Sequence, residues 1–268
     1  MPRKSSQDLR LKTIAPGLHC FGMRTLAFLI VALLSVLDLA KLQAAEARFR
    51  PALIGNGPNA LINVIDTKKL VEKGQQDALL MFSCFVRRDG KVWGYYAYRE
   101  TPGSKWLKKE VENRLTGCRF IPAIYNGEKT EVMVLGTVVL LVRDGQPHLR
   151  VYMNQNHDDV AKGNDFIAPQ LLVDTPDWTG WQYNLAARGA ALNGKNGWVE
   201  LSVTTDTNGT QKNFKVILED PPGFGFGTVA KDTFTKAKWV PGYRNGHPVE
   251  CTFDVPLWYF TWTWLQYR

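Results

Sequence analysis

The stretch from about residue 78 to 142 lies without a gap on a second stretch, 197–260, at an offset of 119 positions. Gly90 falls on Gly209, Pro102 on Pro221, Pro122 on Pro241, Asn126-Gly127 on Asn245-Gly246 and Glu131 on Glu250. The apolar helix face Leu107, Val111, Leu115 and Cys118 falls on Phe226, Ala230, Phe234 and Ala237. Turn residues and apolar spacing agree together, so the chain reads as two copies of one small unit. Internal self-similarity of this kind decides the architecture before any single element does.

Each copy has the same order of elements. In the first, an amphipathic helical stretch at 60–76 precedes an apolar strand from Ala78 to Val86. An Asp-Gly turn at Asp89-Gly90 leads to a second strand, Val92 to Tyr98. Pro102-Gly103 breaks that strand, a helix follows from Trp106 to Leu115, and a long strand runs from Thr130 to about Val142. In the second copy the strands are Trp198–Val203, Phe214–Leu218 and Cys251–Pro256, with a turn at Asn208-Gly209. The helix there ends in Lys238-Trp239-Val240-Pro241, and Asn245-Gly246-His247-Pro248-Val249 forms a loop. An antiparallel sheet then needs the order second–first–third strand. The first strand is central, and the third is an edge that offers unpaired N–H and C=O groups. Asn154 to Asp165 reads as a polar loop between the copies, and Leu185 to Leu192 as a short helix.

The order of strand, Asn-Gly turn, strand, helix ending in a Trp-x-Pro pattern, Gly-x-Pro-Val loop and last strand over residues 198–260 resembles the C-terminal domain of TonB-type energy transducers. The resemblance implies an α+β fold of two tandem TonB-C-like domains, each a three-stranded antiparallel sheet packed with helices. It divides the chain into a leader or anchor at 1–45, a first domain at 46–153, a linker at 154–184 and a second domain at 185–268. It also implies a non-catalytic protein-binding module of the cell envelope. Domains of that family pair a strand of an outer-membrane transporter with their last strand, a case of β-augmentation.

The formal charge of +8 suggests nucleic acid only until the N-terminus is set aside. Residues 1–45 carry six basic side chains against Asp8 and Asp38, half of the excess. No basic stripe interleaved with aromatics remains, so no nucleic-acid partner is expected. Leu26 to Leu37 is an apolar run preceded by Arg24 and followed by Ala44, Ala45 and Ala47. It is short of the roughly 20 residues a membrane span needs and reads as a secretory leader, with an inner-membrane anchor as the alternative. The chain is thus expected in the periplasm or secreted. It has no Pro-rich spacer of the kind that crosses the periplasm in an extended form.

No metal-ligand spacing joins His148, His157 and His247, and no nucleophile elbow or metalloprotease helix is present. Gly223 to Gly227 lacks the Lys-Ser/Thr of a phosphate loop. No catalytic residue, metal or cofactor is expected. The expected partner is an envelope protein, an outer-membrane protein among the candidates; the alternatives are a homodimer or purely structural role with no outside ligand, or a membrane-anchored energy transducer for outer-membrane transport. The outward residues Glu250, Thr252 and Asp254 of the last strand would meet it, with the aromatic row Trp258, Trp262 and Trp264, unless the first copy covers that row. Three cysteines remain once Cys20 is removed with the leader. Cys84 and Cys118 are expected to meet in the first core and form a disulfide, or to stay as buried thiols, with Cys251 free.

Overall fold

The computed structural model describes residues 48–175, 178–179 and 195–259. All of them belong to one compact unit. The first half runs β1 (Phe49–Arg50), α1 (Leu61–Val64), α2 (Thr67–Glu72), β2 (Ala78–Val86), β3 (Val92–Glu100), α3 (Lys105–Leu115), β4 (Ala123–Tyr125), β5 (Glu128–Thr130), β6 (Val132–Arg143) and β7 (Gln146–Tyr152). Between the halves lie α4 (His157–Lys162), β8 (Phe166–Ile167), β9 (Gln170–Leu172), β10 (Asp174–Thr175) and β11 (Trp178–Thr179). The second half runs β12 (Gly197–Thr205), β13 (Gln211–Asp220), α5 (Phe226–Phe234), β14 (Trp239–Val240), β15 (Gly242–Arg244), β16 (His247–Val249) and β17 (Cys251–Tyr259).

β12, β15 and β16 begin and end 119 positions after β2, β4 and β5. Local chemistry explains why the same residues recur. Gly90 and Gly209 both have positive φ, and a Cβ at either would run into a backbone carbonyl, that of Phe120 or of Trp239. Only glycine lets the hairpin turn press against the chain beyond the helix. Asn126-Gly127 and Asn245-Gly246 are both left-handed at the two central positions, φ 52° and 84° in one and 51° and 77° in the other. That is the backbone of a two-residue type I′ hairpin. It joins β4 to β5 and β15 to β16.

β2 is central between β3 and β6, and β12 is central between β13 and β17. Leu107, Val111 and Leu115 of α3, and Phe226, Ala230 and Phe234 of α5, are fully buried on these sheets. The 60–76 stretch forms two short helices, α1 and α2, the second capped by the Asp66 side chain accepting from Lys69 N at 3.0 Å.

Two expectations are corrected here. The halves are not separate bodies joined by a linker over 154–184. β9 pairs with β14 of the second half and with β6 of the first, so one sheet runs β14-β9-β6-β2-β3 through both. Residues 132–138 of β6 are buried on both faces. Val132, Val134, Val138 and Leu140 enter the first core, while Met133 and Leu135 enter the second. Secondly, the third strand of the first half is not an open edge. β7 folds back on residues 137–143 of β6 and β9 takes Val132 and Met133.

Among the described residues no helix is long and apolar enough to cross a membrane. The expected leader at 1–45, the helix at 185–192, Trp181, Trp262 and Trp264 lie outside the described residues.

Candidate docking edge

β17 pairs with β12 over nine successive residues with no break in register, from Gly197↔Tyr259 to Thr205↔Cys251. Among the described residues no strand pairs with its other side. The outer strands β3 and β13 are different, because both carry register shifts against their neighbours. Bulges of this kind twist an edge away from pairing. The regular edge of the second half is thus β17.

Its side chains alternate. Phe253, Val255, Leu257 and Tyr259 are buried in the second core, while Thr252 and Asp254 are exposed. Pro256 fixes the direction of the main chain. Proline lacks an N–H and sits in edge strands with its nitrogen turned away from the ladder. The unbroken register then gives Thr252, Asp254 and Trp258 the same parity, so their N–H and C=O groups point outward. Glu250, just before the strand, is exposed and paired with Lys212 at 2.5 Å.

The face bearing Thr252 and Asp254 is polar toward its start. Thr204 and Thr252 share a hydrogen bond of 2.8 Å between their hydroxyls. Arg99 donates to Glu200 at 2.7 Å, which ties β3 of the first half to β12. Burial, and then the charge of Glu200, hold the Asp254 carboxyl above its ordinary range, against a hydrogen bond from Ser202 and the charges of Arg99 and Lys215.

Trp258, expected among the partner-facing aromatics, is half-buried. Its ring lies 4.7 Å from Tyr96 and 4.6 Å from Tyr98, centroid to centroid. The aromatic row is, at this position, covered by the first half. Tyr98 is held in turn by its hydroxyl donating to Gln155 at 2.6 Å. Beside this packing a cleft of about 480 Å³ is lined by Tyr96, Tyr98, Arg99, Trp198, Asp220 and Trp258 among others.

In the first half the corresponding edge is already filled. β7 follows an Asp144-Gly145 turn with φ 51° and 74°, the same type I′ geometry as the β4–β5 and β15–β16 hairpins. Sequence reasoning passed over β7, although that dipeptide between an apolar strand and the alternating Gln146–Tyr152 could have signalled it. Thr137 stands where Pro256 stands in the second half and pairs with Tyr152.

The three described thiols are free: Cys84 and Cys118 are buried in the same core without a bond between them, and Cys251 is half-buried. The Cys118 thiol donates to Leu115 O at 3.1 Å, and the pair stands here as buried thiols, one of the two states expected from the sequence. Among the described residues no cluster of His, Cys, Asp or Glu has the arrangement of a metal site. His157 is exposed at the start of α4. The Gly223–Gly227 loop does lead into a helix, but the N–H of Phe226 already donates to Glu219 Oε1 at 3.0 Å. A carboxylate stands where an anion would have to bind.

Residues 188–261 match the family model described as Gram-negative bacterial TonB protein C-terminal. The match covers the second half, with β17 as its last strand. No curated protein and no solved structure matches the chain.

Proposed function

With residues 188–261 a match to the TonB C-terminal family, we propose that the protein is a non-catalytic interaction module of the cell envelope that receives an extended segment of a partner along β17. The observation that carries this reading is the unbroken nine-residue register of a strand open on one side. Main-chain bonds from Thr252, Asp254 and Trp258 would supply affinity, and alternate side chains specificity. The first half supports it from within: there the outer side of β6 holds β7 along residues 137–143, which correspond to 256–262, and β9 at Val132 and Met133, which correspond to Cys251 and Thr252. We read the two halves as copies of one domain fused through β9, with the first copy's edge filled by its own chain. Residues 1–45 would direct export to the periplasm, and an outer-membrane protein is the partner the family suggests.

Pro256 and Asp254 argue against the alternative of a closed dimer built edge to edge on β17. Pairing about the middle of the strand sets Asp254 against Asp254, or Asp254 against a proline with no N–H. Like charges directly opposite are destabilising, and edge prolines blunt self-pairing.

The test is retention of envelope proteins on immobilised protein. Thr252→Pro removes an outward donor without touching the ladder to β12, and Thr252→Val removes only the hydroxyl. Retention that survives Thr252→Val and is lost with Thr252→Pro supports edge pairing. Retention unchanged by Thr252→Pro in a folded protein sinks it.

A further inference from the structure

The surfaces equivalent to the contact between the two halves are exposed elsewhere on the chain. Inside the chain, Leu171 and Leu172 of β9 pair with Met133 and Val132 of β6, and Val240 is buried in the first core with no exposure. On the other side of the contact, Tyr98 of β3 packs on Trp258 and Arg99 bonds to Glu200. At an offset of 119, Val240 corresponds to Ile121, Tyr98 to Ile217 and Arg99 to Leu218. Ile121 is 39% exposed, Ile217 43% and Leu218 41%, whereas Tyr98 is 8% exposed. The exposed large apolar side chains among the described residues are Ile62, Trp93, Ile121, Ile217, Leu218 and Phe224. Half of them thus stand where the equivalent residue makes the internal contact.

The receiving surfaces are at least partly open too. Glu200 and Trp258, which take Arg99 and Tyr98, correspond to Met81 and Val139, both half-buried. Val132 and Met133, which take β9, correspond to Cys251 and Thr252 at the start of the β17 edge. The segment matching β9 is Leu53–Gly55, since Leu53 bridges Ile121 as Gln170 pairs with Val240. Gly55 has positive φ and would extend on pairing, a change glycine makes at little steric cost.

We propose that copies of this chain associate head to tail, the first half of one docking on the second half of the next as the second half docks on the first within the chain. Ile217 and Leu218 of one copy then lie on Met81 and Val139 of the next, whose Leu53–Gly55 segment pairs with Cys251 and Thr252. The contact is heterologous, so it extends into a chain unless the rotation closes it. It rests on the reading of β17 as an open edge, but occupies only the first two residues of that edge.

Sedimentation velocity of the full chain tests this with Ile121→Asp, which spoils one end, and Ile217→Asp, which spoils the other. Both side chains are exposed, and unchanged urea midpoints establish that the variants fold. Wild type is expected to show a sedimentation coefficient that rises with concentration beyond a dimer, or to a closed ring. Each variant alone is expected to remain a monomer. Their equal mixture is expected to stop at a dimer, because one intact end of each remains. A wild type that stays monomeric, variants that still associate, or a mixture that stays monomeric would each overturn head-to-tail docking. Partner retention lost with Thr252→Pro but kept in both Asp variants would leave the proposed function standing when this inference fails.

Discussion

The side-chain amide of Gln170 closes a two-way hydrogen bond with the backbone of Ala52. Ala52 N donates to Gln170 Oε1 at 2.7 Å, and Gln170 Nε2 donates to Ala52 O at 2.9 Å. Both residues are fully buried, and the bond joins the segment before the first helix to β9. Gln170→Ala leaves a buried donor and a buried acceptor of the main chain without partners. Each such loss costs about 1–3 kcal/mol, so a total of about 2–6 kcal/mol is expected, read from the urea midpoint. Gln170→Glu should be no better, since it restores an acceptor and turns a carboxylate toward Ala52 O.

Gly209 and Gly246 separate two demands made on turn glycines. Both have positive φ, but a Cβ at Gly246 meets nothing within 4 Å, while at Gly209 it meets the carbonyl of Trp239. Gly246→Ala should cost only the left-handed penalty of about 1–2 kcal/mol. Gly209→Ala adds a backbone collision and is expected to exceed about 4 kcal/mol, in the range reserved for core disruption. Equal urea midpoints for the two variants would contradict this account.

These glycines were also the legible part of the sequence. Hairpin turns, the helix faces at Leu107 and Phe226 and the central place of β2 follow from residue type and period, which act locally. What lay between the halves did not. β8, β9 and β14 have two or three residues each, too short for a period to show. Gln170 and Asn154 look like loop residues, yet Asn154 is fully buried, donating to Phe166 O at 2.7 Å. Polar residues satisfied by distant backbone cannot be told from solvated ones without the fold. The edge at β17 was readable from alternation and from Pro256. The covering of Trp258 by Tyr96 and Tyr98 was not, because it depends on how the halves meet.

Asp254 and Asp159 should respond to acid with opposite signs. Burial and the charge of Glu200 raise the Asp254 carboxyl. A carboxyl raised on folding contributes stability below its unfolded pKa and loses it as pH rises through the folded value. Asp254→Asn is therefore expected to raise the urea midpoint at pH 7, the gain vanishing as pH falls through the carboxylate range. Asp159 is lowered, first by the Arg244 guanidinium, which reaches both of its oxygens at 2.8 and 3.0 Å. Its contribution is present above the unfolded pKa and lost as pH falls through the folded one. Asp159→Asn should lower the midpoint at pH 7 and converge with wild type in acid. Two variants that shift in the same direction at pH 7 would refute the assignment.

Cys84 and Cys118 should behave as protected thiols until they are oxidised. Burial, then the neighbouring Cys118, pushes the Cys84 thiol well up, and burial pushes Cys118 up to about 12. Cys251 is pushed up to about 11, again by burial. Thiolate is the reactive form, so iodoacetamide at pH 8 is expected to label Cys251 slowly and the other two only after unfolding. In an oxidising compartment the two core thiols can instead give up two protons and two electrons to the resident oxidant and bond. That bond would tie β2 to the end of α3. It would close a loop of about 34 residues and, on the chain-entropy model, add roughly 3–4 kcal/mol. Exported protein, unfolded and alkylated without reductant, should then carry a label on Cys251 alone, and its urea midpoint should fall when reductant is added. Labels on both Cys84 and Cys118 in that sample would show that the pair stays reduced and serves the core only as small apolar side chains.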